Sequence, residues 1–172
     1  ALLSPLLSSL PGTLPDVNIT MGLPLQNSQL AHFFNLLLEI KGAQNVKGWP
    51  KTLLQRLFSN PYCHSLISKN NTVTLAAYLS FLNTSDAPLV STKMLLSLGK
   101  CPVLFDLVLN ESQQTALVLA ELLAIIEMLR TVSPLKDQAL ELEQLFRFYT
   151  IFNQIKSYQE AYPFLSNINT LK

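Results

Sequence analysis

The stretch "TALVLAELLAIIEMLR", Thr115 to Arg130, limits the fold more than any other segment of this chain. Twelve of its sixteen residues are apolar, and no single face holds them. Projected at about 100° per residue, Gln114 and Glu121 share one narrow line, and Glu127 and Arg130 share another roughly opposite. Apolar side chains fill both flanks between. A helix wet only along two seams is expected to be central, with neighbours on either side. It does not suit a bilayer. A carboxylate near the middle costs about 2.5–3.5 kcal/mol on insertion scales, and the uninterrupted apolar runs fall well short of ~18 residues. Such a helix either fills a core or lines a cavity for something oily.

Prolines, glycines and capping residues divide the rest. Residues 1–26 carry Pro5, Pro11, Pro15 and Pro24 among leucines and serines. Proline at that density predicts an extended strap rather than a helix. From residue 27 to 172 the pattern predicts one helical domain. Asn27 or Ser28 can cap a helix reaching about Lys41, with Gly42 as its stop. Its stripe is Leu30, Phe33, Phe34, Leu37 and Lys41. Trp49-Pro50 opens a second helix, closed by Asn60-Pro61. Asn71 or Thr72 starts a third, with Leu75, Tyr78, Leu79 and Leu82 on one side. A fourth runs from about Pro88 to Leu98, stopped by Gly99, and a short apolar piece spans Val103 to Leu109. Asn110 and Gln113 resemble a capping box for the long greasy helix. Pro134 ends it and begins the last helix, which runs to about Ala161. Strand signals are poor. The expectation is an all-α fold: an irregular bundle of six to seven helices behind an extended Pro/Leu-rich N-terminal strap.

Composition sharpens the question of what so apolar a chain contacts. Charged residues make up 13% of it, against roughly 25% in ordinary soluble domains. There are 37 leucines. A net charge of +1 gives no electrostatic case for binding nucleic acid. Bases gather between Ile40 and Lys100, and acids between Cys101 and Phe146. Either the basic half meets anionic head groups in a membrane-proximal setting, or the two halves complement each other on packing.

Two cysteines, Cys63 and Cys101, make an even pair. Bonded, they would close a loop of nearly forty residues, worth roughly 3–4 kcal/mol in the chain-entropy model. Two buried thiols are the alternative. Four N-glycosylation sequons begin at Asn18, Asn70, Asn83 and Asn110, where chance would give roughly two. Together these features point to an oxidising, secreted or extracellular/luminal location. The opening "ALLSPLLSSLPG" lacks the basic start of a leader, as expected of a mature chain that has already lost one.

The last helix gathers the aromatics. Phe146, Phe148, Tyr149, Phe152, Tyr158, Tyr162 and Phe164 are seven of the fifteen in the chain. Plain core packing would account for them. The sharper expectation is an aromatic wall for acyl chains, with Leu122, Ile126, Phe148, Phe152 and Ile155 lining it and the strap covering it.

The residues that carry chemistry are missing or misplaced. There is no phosphate-binding glycine loop and no GxSxG elbow. The two histidines are His32 and His64. His64 adjoins Cys63 and cannot readily face it as a base. Two His and two Cys without a close-spaced pair make only a weak metal site, and none is expected. Glu141 and Glu143 diverge on a helix. The expectation is a chain that is not an enzyme and uses no cofactor.

"FLNTSDAPLVSTKMLLSLGKCPVLFDLVL", Phe81 to Leu109, resembles a helix–turn–helix stretch in the first extracellular domain of the A subfamily of ATP-binding-cassette lipid exporters. The likeness rests on Phe81-Leu82, the sequon at Asn83, Pro88, Ser91-Thr92 and Met94-Leu95. The run "SYQEAYPFLSNIN", Ser157 to Asn169, has a similar flavour. Together they cover about a quarter of the chain. The resemblance implies a luminal or extracellular helical module whose apolar interior shelters lipid, with any ATPase elsewhere in a longer protein. It carries over no functional residue. Two alternatives stay open: a secreted surface-active carrier, and a helical scaffold that buries its apolar surplus against a protein partner.

Overall fold

In a computed structural model the protein is described at residues 25–43, 48–67, 75–99, 105–106, 109, 114–131 and 139–162. These residues form seven α-helices, one 3-10 turn and a two-stranded ladder, so the fold is all-α. Of the strap, only Leu25 and Gln26 are described. They belong to a 3-10 turn, Leu25–Asn27, and residues 1–24 lie outside the described set.

Helix α1 (Gln29–Ala43) is the central element. Ser28 caps it: the hydroxyl donates to Leu25 O at 2.7 Å and accepts from Ala31 N–H at 3.0 Å. The helix runs through Gly42 and ends one residue later. Its buried surface is far wider than the expected stripe and adds Ala31, Leu36, Leu38 and Ile40. Between its ends, a thin polar line of His32, Asn35, Glu39 and Gly42 meets solvent, the 3- and 4-residue spacing of one helix edge.

Trp49-Pro50 stands directly before a helix, with Pro50 as the N-cap one position ahead of its expected place, and it has a second role. It is strand β1 (Trp49–Pro50), paired antiparallel with β2 (Leu89–Val90), so that Trp49 faces Val90 and Pro50 faces Leu89. Lys51 N–H extends the ladder to Pro88 O at 2.9 Å. Proline fits because each strand is an edge. Gly48 is required just before the ladder. Its φ is +125°, and a Cβ there would run into the carbonyl of Val90. Trp49 and Val90 are both buried, so this clasp belongs to the core.

Helix α2 (Lys51–Phe58) follows, and Asn60-Pro61 both ends it and starts another. Asn60 Oδ1 accepts from Tyr62 N–H at 3.0 Å, and Pro61 takes the first position of α3 (Pro61–Ile67). The dipeptide is thus both the stop expected of it and a start. Helix α4 (Leu75–Thr84) buries Leu75, Tyr78 and Leu82, as its periodicity predicts. Helix α5 (Thr92–Leu96) is shorter than expected, because Leu89 and Val90 are taken into the ladder and Ser91 then caps the helix. Gly99 stands at positive φ just beyond it. The proposed cap residues Asn110 and Gln113 lie outside the described residues, as does Pro134.

Helices α6 (Thr115–Thr131) and α7 (Ala139–Ala161) complete the bundle. α1 packs on α2 and α7, α2 on α4, and α6 on α7 and α3. The core is continuous, from Leu30 and Phe33 through Leu54 and Tyr78 to Ile125 and Leu129. At roughly 1.5–3 kcal/mol for each fully buried large apolar side chain, this burial is the main stabilising term.

Candidate functional site

Helix α6 departs from its expected setting in two ways. It is half covered, not enclosed on both flanks: Val118, Leu119, Leu122, Ile125, Ile126 and Leu129 are buried, whereas Ala116, Leu117 and Ala120 are exposed. Glu121 is not on a wet seam either. It is 9% exposed, and its carboxylate accepts from Lys41 Nζ at 2.6 Å. Lys41 is 5% exposed and sits on the apolar stripe of α1. Burial lowers the lysine pKa below its usual 10.5, and the hydrogen bond and charge of Glu121 pull it back up. This ion pair joins the basic half of the sequence to the acidic half across the core. The other pairs, Arg56 with Glu39, Arg130 with Glu127 and Arg147 with Glu143, are exposed.

The five residues expected to line a lipid wall face inward. Leu122, Ile126 and Phe152 are buried, and Phe148 and Ile155 are partly buried against the core. Phe34 of α1 receives the two rings. Its ring centroid lies 4.8 Å from Phe148 and 5.3 Å, edge-on, from Phe152. These spacings are those of packed aromatic pairs, so this stripe attaches α7 to the bundle.

Most of the large apolar side chains that stay exposed lie along α7. Phe146 is 68% exposed and Tyr158 is 61% exposed, and Leu140, Tyr149, Ile151 and Tyr162 are exposed as well. Exposure on this scale along one helix exceeds the scattered single residues of an ordinary surface. Phe146, Tyr149 and Tyr158 rim an open groove of about 490 Å³, with Thr150, Asn153, Gln154 and Ser157 along it. Phe148 to Ile155 contains no charged residue. Thr150 Oγ1 donates to Phe146 O at 3.0 Å, Asn153 Nδ2 to Tyr149 O at 2.8 Å, and Ser157 Oγ to Asn153 O at 3.1 Å. These back-bonds pull the polar groups down onto the helix. What stands up from the face is aromatic.

Helix α7 is pinned at its start by Tyr62 of α3, whose side chain hydrogen-bonds Glu141 in the first turn. Burial pushes the Tyr62 pKa up to about 12, with the charge of Glu141 and their hydrogen bond adding to the shift. Neither this anchor nor the outer groove is among the features expected from the sequence. The groove was legible as the aromatics left over once Phe148, Phe152 and Ile155 are assigned inward.

Of the sequon asparagines, Asn83 is described. It is exposed near the end of α4, and its Oδ1 accepts from Gln55 Nε2 at 3.0 Å, leaving the amide nitrogen that a glycan would use. Asn18, Asn70 and Asn110 lie outside the described residues. Cys63 is buried on α3, Cys101 lies outside, and their pairing therefore lies outside the description. His64 is exposed beside buried Cys63. No helix among the described residues is long and apolar enough to cross a membrane.

No family model, curated protein or solved structure matches the chain. The functional reading therefore rests on the groove itself.

Proposed function

We propose that this chain is a helical module, in an extracellular or luminal setting, that binds or shields lipid on the outer face of α7. The observation that carries the reading is the exposed aromatic rim of Phe146, Tyr149 and Tyr158 over an open groove, on a helix whose inner stripe is already packed. Binding is passive. The guest loses apolar surface to water, at about 25 cal/mol per Å² removed, and the rings supply flat faces for its chain. The amphipathic tyrosines keep their hydroxyls at the wet edge. The accessible amide of Asn83 supports the extracellular setting. The resemblance of Phe81–Leu109 to a lipid-exporter domain supports an exporter module as the wider context.

The test is lipid binding by delipidated protein, followed by native mass spectrometry and by the melting temperature at rising lipid concentration. The wild-type chain is expected to retain acyl-chain mass and to melt higher with lipid. The double variant Phe146→Ser/Tyr158→Ser is expected to bind at least about tenfold more weakly while melting within about 2 °C of wild type, because both rings are exposed. Two outcomes overturn the reading. In one, no lipid is retained and the melting temperature does not respond. In the other, the mass in solution doubles with concentration and the double variant abolishes the doubling, which assigns the face to a second chain.

A further inference from the structure

Resting on the luminal setting of that reading, we propose that Asn83 is an N-glycan acceptor only while the segment Asn83–Pro88 is open, and that closing the clasp between β1 and β2 withdraws it. In the transfer, the Asn83 amide nitrogen attacks the anomeric carbon of an oligosaccharide carried on a lipid diphosphate. The bond from nitrogen to that carbon forms, and the bond from the carbon to the diphosphate oxygen breaks. The amide gives up one proton and the lipid diphosphate leaves. The sequon Asn83-Thr84-Ser85 must offer the transferase two groups together, the Asn83 amide and the Ser85 hydroxyl, which is the presentation of a surface loop.

The fold does not present them that way. Asn83 and Thr84 are the last two residues of α4, and Ser85 N–H continues the pattern by donating to Phe81 O at 2.9 Å. Side chains two apart at a helix end do not face each other. Each sequon residue is also held. Asn83 Oδ1 accepts from Gln55 Nε2 of α2 at 3.0 Å, and Thr84 Oγ1 donates to Ser80 O at 3.0 Å. The Ser85 hydroxyl accepts from Ala87 N–H at 3.3 Å, and its carbonyl accepts from Lys51 Nζ at 2.6 Å. Lys51 N–H ties the far end of the segment to α2 through Pro88 O at 2.9 Å. Extending the sequon into an enzyme cleft breaks these bonds and parts Pro50 from Leu89. The transfer rate then follows the population of that open form. Nothing here bars a glycan already in place. Asn83 and Thr84 are exposed, and the glycosylated amide keeps the Oδ1 that Gln55 uses.

The experiment uses the full chain produced unglycosylated in bacteria, a purified oligosaccharyltransferase and a dolichyl diphosphate oligosaccharide, with Asn83 occupancy followed by peptide mass spectrometry. Gly48→Ala and Lys51→Met both weaken the clasp and leave the sequon intact. Each is expected to accept glycan at least about tenfold faster than wild type. Leu129→Ala empties a core position on α6 and leaves the clasp residues in place, so it is expected to stay within about twofold of wild type. The inference is overturned if wild type accepts as fast as the clasp variants, if either clasp variant stays at the wild-type rate, or if Leu129→Ala accelerates transfer as much as they do. The assay does not depend on where the chain resides. A wrong luminal setting shows itself separately, as a chain that a secretory host does not export.

Discussion

Replacing Glu121 with leucine leaves Lys41 charged, 5% exposed and without the carboxylate 2.6 Å away. Removing one partner of a buried pair costs about 3–5 kcal/mol, because the buried charge that remains loses its counter-charge. At about 2–4 °C per kcal/mol for a chain of this size, the melting temperature of Glu121→Leu is expected to fall by roughly 6–20 °C. Lys41→Met/Glu121→Leu removes both charges at similar volume and is expected to come within about 1 kcal/mol of wild type or exceed it. The sign of the pH dependence follows from the lysine. Its folded pKa is lowered by burial, and removing Glu121 deletes the two effects that raised it. The folded protein then binds this proton less readily than the unfolded chain. The deficit is therefore fully present at pH below the depressed pKa. It shrinks as pH climbs toward 10.5, where the unfolded lysine also loses its proton. Urea unfolding of the four species of the cycle at pH 7 and pH 9.5, followed by circular dichroism, measures each term. A single-variant cost under about 1 kcal/mol, or a double variant as unstable as Glu121→Leu, would show that the pair is hydrated and the reasoning mistaken.

Other outcomes follow from the same coordinates. Tyr62 has a folded pKa raised to about 12 from a usual 10.0, so its contribution to stability holds below pH 10 and is lost between 10 and 12. Tyr62→Phe should show a smaller loss than wild type across that window in denaturant titrations. Gly48→Ala combines an unfavourable φ with a clash against the Val90 carbonyl and should cost about 2 kcal/mol or more by thermal melting. Ser28→Ala removes the cap of α1 and should cost about 1 kcal/mol, with amide exchange rising in the first turn. In a secretory host, Asn83→Gln should lower the intact mass by one glycan; an unchanged mass would mean that this sequon is not used.

The sequence disclosed periodic features and hid those that depend on distant partners. Leu75, Tyr78 and Leu82 follow helical spacing, and α4 buries them as expected. Lys41 stood out in advance as a charge on an apolar stripe. Its partner, 80 positions away, could not be read, because nothing local marks which carboxylate a lysine will meet. The two-residue strands carry no alternation to detect, so Trp49-Pro50 showed its role at the start of α2 and hid its role as β1. Asn60-Pro61 is the stop that its residues predict, and the same two residues also cap the next helix, a second role that the stop signal masks. The aromatic run of α7 was visible as a whole. Its division into an inward half on Phe34 and an outward half around the groove is set by the packing of α7 against α6 and α1, and sequence spacing alone does not say which half turns in.

The clasp between Trp49-Pro50 and Leu89-Val90 also governs how the molecule carries load. When the chain is drawn from its two ends, the packing of α1 on α7 and the Lys41–Glu121 pair take the tension first, and once they part it crosses from one strand to the other while the three described helices between them stay slack. Only when Trp49 and Val90 part does that loop feel the pull. About forty residues should then pay out together, an extension of roughly 130–140 Å at full stretch.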